Sequence, residues 1–194
     1  MKNTYKLTED KLYQLIENTV RKFIKEIDET TVYHNSEADF NEFDLAYINT
    51  GTKHQDYGWG IYLSYAPEGA EYYGSKQYTV EIPSESKKYL FSDKEYSRSF
   101  MSKIIKRLYK RLMSDEDGGY KAAAQETWEE LQYMYEVTDG LNIYGTISSY
   151  LGSDKAASEF LYSLGIIGLR YNTTDTVENV VMFNPKDIKI LSKK

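Results

Sequence analysis

The sequence predicts an α+β fold, on three observations. Short β-branched and aromatic runs recur along the chain without regular strand–helix–strand alternation. Long stretches near the N-terminus and in the middle instead carry apolar residues at helical spacing. With 194 residues and 41% hydrophobic content, one globular domain can bury a real core.

Composition narrows the chemistry. A net charge of −6 argues against nucleic acid as a general partner, because phosphate binding needs a basic footprint. The absence of cysteine removes disulfides, thiol nucleophiles and cysteine metal sites together. With only His34 and His54 available, no metal site is expected. No apolar run reaches membrane-spanning length, and the first residues lack the apolar segment of a secretory signal. The expectation is a soluble, cytoplasmic protein that does not engage membranes.

Residues 1–28 read as a separable amphipathic helix. Leu12, Leu15, Ile16, Val20, Phe23, Ile24 and Ile27 follow helical spacing from 8 to 27, with Thr8 as N-cap and Glu9 and Asp10 in the first turn. Such a stripe normally docks on its own domain; a docking segment for another protein is the alternative.

The rest, 29–194, reads as one domain. TVYHNS (31–36) is a strand carrying His34, and Phe40 and Phe43 anchor the acidic loop after it. YGWGIYLSYAPEGAEYYG (57–74) reads as a turn, a strand at 60–64 and a short helix at 67–73 with Pro67 in its first turn. Gly58 and Gly60 suggest close backbone approach to something bulky, or a strained turn. Tyr62 on the strand and Tyr72 on the helix can face each other across a slot suited to a flat, positively charged ring; otherwise they are packing residues. Tyr78, Val80 and Ile82 share one face of a strand at 77–83.

Residues from about 92 to 151 read as a helical insert. Met101, Ile104, Ile105, Leu108 and Leu112 form its apolar stripe, and Lys103, Lys106, Arg107, Lys110 and Arg111 its basic face. That face is either solvated or a surface for docking a target. A further helix at 154–164 is capped by Ser153 or Asp154, and strands follow at 168–172, 178–183 and 188–191.

Several of these stretches, in chain order, resemble one family. H-x-S after a strand, G-x-G-[IL]-Y, A-x-Y on the next helix, SDKAASEFLYSLGIIGLRY (153–171) and ENVVMFNPKDIKIL (178–191) resemble ADP-ribosyltransferases of the poly-ADP-ribose-polymerase and diphtheria-toxin type. The likeness is strongest to small bacterial and phage members found in polyvalent proteins. It covers roughly 32–191 and implies two mostly antiparallel sheets around a split cleft that binds NAD as co-substrate.

The resemblance also implies roles. Nicotinamide would stack between Tyr62 and Tyr72, His34 would bond a ribose hydroxyl, Ser36 would support it, and the backbone at Asn35, Gly58 and Gly60 would lie against the dinucleotide. Asp39, Asp44 and His54 would lie near the site, although by their own setting Asp39 and His54 read rather as parts of a solvated loop. Polymer-forming members carry a glutamate on the penultimate strand; alignment of NVVMFN puts Asn179 there, with Glu178 beside it. Alternation allows only one of the two into the cleft without a bulge, and spacing to Val181 and Phe183 favours Asn179. An amide can orient a hydroxyl but carries no charge, so single transfer to a protein is expected over polymer synthesis. NAD hydrolysis and NAD or ADP-ribose binding without catalysis are the alternatives. The expected partner is a protein target, docked by the N-terminal helix or the basic face.

Overall fold

In the computed structural model the chain is described over residues 9–48, 56–70, 73–114, 124–136, 139–174 and 177–194. Seven strands form one sheet: β1 (Thr31–Ser36), β2 (Ile61–Ser64), β3 (Lys76–Glu81), β4 (Tyr89–Phe91), β5 (Gly168–Thr174), β6 (Val177–Met182) and β7 (Lys189–Lys193). Their order is β4-β5-β6-β2-β1-β3-β7, antiparallel except for β4 beside β5. The helices are α1 (Glu9–Thr30), α2 (Pro67–Ala70), α3 (Arg98–Ser114), α4 (Ala124–Gln132), α5 (Gly140–Leu151) and α6 (Asp154–Ser163). The α+β class therefore holds.

The two separate sheets expected from the sequence are joined into one, but only just. β1 pairs with β3 along its whole length, from Thr31 opposite Glu81 to Ser36 opposite Lys76. β2 pairs with β6 from Ile61 opposite Met182 to Ser64 opposite Asn179. Between β1 and β2 the register has a single pair, Tyr33 opposite Ser64. Two well-paired halves thus meet at one point and part on either side of it. The unpaired edges of β1 and β2 leave backbone groups that another partner must satisfy.

Strand alternation sends side chains to two cores. On β6, Val181 packs on one face and Val180 and Met182 on the other. The first face is covered by the stripe Met101, Ile104, Ile105, Leu108 and Leu112 of α3, all buried, with Ile143 and Ile147 of α5 and Leu161 of α6. The helices of the insert are thus part of the main core. The second face gathers Val32, Ile61, Leu63, Tyr78, Val80 and Ile82, closed over by Phe40 and Phe43. Each such buried aliphatic or aromatic side chain contributes about 1.5–3 kcal/mol. Ser153 caps α6 by accepting from the Ala156 N–H at 3.2 Å, and Asp139 caps α5 at 2.9 Å.

Along residues 11–21 α1 does not dock on its own domain, contrary to expectation, and the side chains at 23, 24 and 27 lie outside the described residues. Every residue from 11 to 21 is exposed, including Leu12, Leu15, Ile16 and Val20. α1 runs into β1, a central strand of the sheet, with no residue between them.

Candidate functional site

The point where the sheet parts holds a small cavity. Tyr33, His34 and Asn35 of β1, Tyr62, Leu63 and Ser64 of β2, Ala70, Tyr73, Tyr171 of β5 and Asn179 of β6 border it. Its volume is about 40 Å³. At roughly 10–15 Å³ per water on this measure, it has room for a few waters; a pyridine ring would need its walls to part.

His34 bridges the gap. Its Nδ1 lies 2.9 Å from the Tyr62 carbonyl oxygen, so the side chain of one half bonds the open backbone edge of the other. A carbonyl only accepts, so Nδ1 carries the ring proton and Nε2 is the acceptor nitrogen of the neutral imidazole. Burial holds the His34 pKa below the usual histidine value, outweighing the raising effect of that bond. The edges of Phe43 and Phe40 at 5.1 and 6.0 Å fix the ring's orientation.

Asn35 is 6% exposed. Its Nδ2 donates to the Gly74 carbonyl at 2.9 Å, which fixes the amide's orientation. Oδ1 is then a buried acceptor with no partner, an arrangement that costs about 1–3 kcal/mol unless a donor arrives. The Gly74 backbone reaches this position because it has no side chain: a Cβ there would lie 2.2 Å from the Ser36 carbonyl carbon. The Ser36 hydroxyl accepts from the Ala38 N–H at 3.1 Å, so it shapes the following turn, and Ser36 is not among the cavity's walls.

Tyr62 is held at its far end. Its hydroxyl donates to the Gly58 carbonyl at 2.8 Å and accepts from the Tyr57 N–H at 3.1 Å. Its ring meets Tyr171 edge-on at 6.2 Å, and Tyr171 stacks on Tyr57 at 3.7 Å. Burial pushes the Tyr62 and Tyr171 pKa values well up, so both remain neutral phenols. This gives one aromatic wall. Tyr72, the expected opposite face, lies outside the described residues, as does His54.

Gly58 and Gly60 approach protein atoms. A Cβ on Gly58, at φ +113°, would lie 2.7 Å from the Tyr144 ring, and one on Gly60 would lie 2.4 Å from the Met182 carbonyl oxygen. Neither borders the cavity; they set the turn that anchors Tyr62.

Asn179 and Glu178 lie on opposite faces of β6. Asn179, 7% exposed, borders the cavity with His34, and its Nδ2 donates to Thr173 Oγ1 and the Val177 carbonyl, each at 3.2 Å. A carbonyl accepts only, so the amide is oriented and Oδ1 is the atom it can offer a ligand. Glu178 pairs instead with Arg170, Oε1 to Nη1 at 3.4 Å. That guanidinium is buried among Tyr89, Tyr65 and Phe91, with ring centroids at 4.4, 5.0 and 5.6 Å. The bulge beside this pair lies on β5, between Asn172 and Thr174, and leaves the alternation of β6 intact.

The acidic loop contributes structure. Asp39 is ion-paired with Lys193 at 2.7 Å, which lowers its pKa, and Asp44 caps a short 3₁₀ turn (Leu45–Tyr47). Lys103, Lys106, Arg107, Lys110 and Arg111 are exposed on α3, away from the cavity. Among the described residues no group of three His, Asp or Glu could hold a metal ion, and no helix is long and apolar enough to cross a membrane.

Sequence reasoning missed Tyr57 and Tyr171. The signal lay in pairing: Tyr171 stands directly opposite Asn179 across β5 and β6, a register no single segment reveals.

No family model matches the chain, and no curated protein matches it. A crystal structure described as that of an anti-CRISPR protein is similar over 83% of this chain and 94% of the other, at 10% sequence identity and a TM-score of 0.37. A likeness at that level carries no conclusion about fold or function.

Proposed function

We propose that the protein is an NAD-dependent mono-ADP-ribosyltransferase that transfers ADP-ribose to a protein and releases nicotinamide. The observation that carries the proposal is the parting of the sheet between β1 and β2, with His34, Asn35, Tyr62 and Asn179 around one cavity. These are the residues that the resemblance to ADP-ribosyltransferases assigns to the split cleft.

The donor set fits such a ligand. Neutral His34, with Nδ1 tied to the Tyr62 carbonyl, offers Nε2 to a sugar hydroxyl. Asn179, with Nδ2 committed to its own turn, offers Oδ1 to a second hydroxyl. The orphaned Oδ1 of Asn35 needs an N–H or O–H donor, and the carboxamide of nicotinamide carries one. Tyr62 supplies an aromatic face, with Tyr72 as its proposed counterpart. NAD itself brings a good leaving group on the sugar; the chain's part is to hold ring and ribose so that an acceptor meets the opposite sugar face. Ser36 shapes the turn after His34, and Gly58 and Gly60 act through Tyr62.

Asn179 gives the site no negative charge, and Glu178 is held by Arg170 on the other face. Without a charged base, chain elongation is disfavoured and single transfer remains. The same observation favours a second reading, an NAD-binding module without transfer. Labelled NAD incubated with the protein and several cell lysates separates the two. Label on a macromolecule together with nicotinamide release supports transfer; nicotinamide release alone indicates hydrolysis; NAD binding with neither indicates the binding module.

A further inference from the structure

We propose that the basic face of α3 is a docking surface for an acidic segment of a partner protein. α3 contains lysines and arginines but no acidic residue, in a chain whose net charge is −6. Arg98 lies over the Tyr135 ring at 4.9 Å. The other cations, Lys103, Lys106, Arg107, Lys110 and Arg111, are all exposed, and among the described residues no carboxylate pairs with any of them. The opposite face of α3 is buried in the main core through Met101, Ile104, Ile105, Leu108 and Leu112, so these cations stand on a fixed element and face solvent.

A face kept for solubility alone does not need this pattern. Lys103 stands three and four residues before Lys106 and Arg107, Lys106 four before Lys110, and Arg107 three and four before Lys110 and Arg111, so five neighbouring pairs repel. Like charges at those spacings destabilise a helix. The helix dipole favours cations in the last turn, which accounts for Arg111 and not for the four before it. Exposed faces elsewhere in the chain mix their signs: Arg21 pairs with Glu17 at 2.8 Å, and Lys155 with Glu159 at 4.0 Å. The repulsion within α3 is offset once a negatively charged partner lies on it.

The shape of the charge selects the partner. From Lys103 to Arg111 the stripe is about 12 Å long, at about 1.5 Å per residue. α4 packs beside α3, where Tyr109 meets Trp128 edge-on at 5.1 Å, and the exposed Glu126, Glu129 and Glu130 put an acidic row on that neighbouring helix. A nucleic-acid duplex carries one charge about every 1.7 Å, so about seven lie over the stripe and more beyond it, where an acidic body repels them. A single protein helix with glutamates at i, i+3, i+4 and i+7 confines its charge to the length of the stripe.

The probe is a labelled synthetic helix with glutamates at that spacing, titrated with the full chain and followed by fluorescence anisotropy. One-to-one binding is expected, weakened at least about tenfold between about 50 and about 200 mM salt, because charges at a surface are screened. The same peptide with glutamine in place of glutamate, and a DNA duplex, should bind less tightly. Lys106→Glu with Arg107→Glu turns all five repelling pairs into attracting ones, so this variant should melt above the native chain and bind the peptide at least about tenfold more weakly. No saturable binding at about 50 mM salt overturns the proposal, as does equal binding of the glutamine peptide or undiminished binding by the variant. Tighter binding of the duplex also overturns it and would make nucleic acid the ligand. None of these outcomes involves NAD, so they stand apart from the transfer reaction.

Discussion

Tyr144→Phe tests how the turn before β2 is held. The Tyr144 hydroxyl accepts the Trp59 N–H at 2.9 Å, donates to the Asp154 carbonyl at 2.8 Å and lies 2.9 Å from Ser158 Oγ, which itself donates to the Trp59 carbonyl at 2.7 Å. One buried oxygen thereby ties residues 58–60 to α5 and α6. Removing it leaves the partly buried Trp59 N–H without its acceptor, at about 1–3 kcal/mol, while the Asp154 carbonyl, on an exposed residue, regains water at little cost. The sum is about 2 kcal/mol, or a fall in Tm of roughly 4–8 °C for a domain of this size. Urea denaturation of native and variant chains measures it. Ser158→Ala should be non-additive with Tyr144→Phe, since both act on Trp59. A loss below about 0.5 kcal/mol, or full additivity, would mean that the Tyr144 hydroxyl does not hold the turn.

Three further outcomes follow from the site. Gly74→Ala sets a methyl 2.2 Å from the Ser36 backbone, and overpacking against backbone should cost roughly 1–3 kcal/mol or more in denaturant titrations. His34 has a depressed pKa in the fold, so the unfolded chain binds more protons as pH falls below about 6.5. Its contribution is complete above that value and is lost as pH drops through the folded pKa; thermal melting between pH 7.5 and 5 should show the decline, and His34→Gln should flatten it. Asn179→Ala should lower transfer from NAD while costing only about 1 kcal/mol of stability, because the two bonds lost are long. Glu178→Gln should leave transfer nearly unchanged. The reverse pattern in a radiolabel assay would mean that the glutamate acts in the chemistry.

What the sequence revealed was governed by local periodicity. The stripe of α3 read as Met101, Ile104, Ile105, Leu108 and Leu112 is buried residue for residue, because a helix facing a core leaves a 3.6-residue signature. Period two likewise placed Tyr78, Val80 and Ile82 together in the second core. Features set by distant pairing left no such trace. β4 is three residues long and exists because Tyr89 to Phe91 align beside Gly168 to Arg170. The glycines of the 58–60 turn answer to Tyr144 and Met182, far along the chain, so their spacing alone suggested a ligand. The exposure of residues 11 to 21 on α1 was likewise invisible, since amphipathicity shows that a face exists and not whether the domain covers it.

The most direct test of the central claim is calorimetric titration of NAD into the full chain and into His34→Ala. Saturable binding by the native protein is expected, with a loss of at least about tenfold, near 1.4 kcal/mol, in the variant, because the His34 side chain joins the two halves of the sheet at the cavity. Absence of measurable binding by the native chain at millimolar NAD, or equal affinity in both, would contradict it.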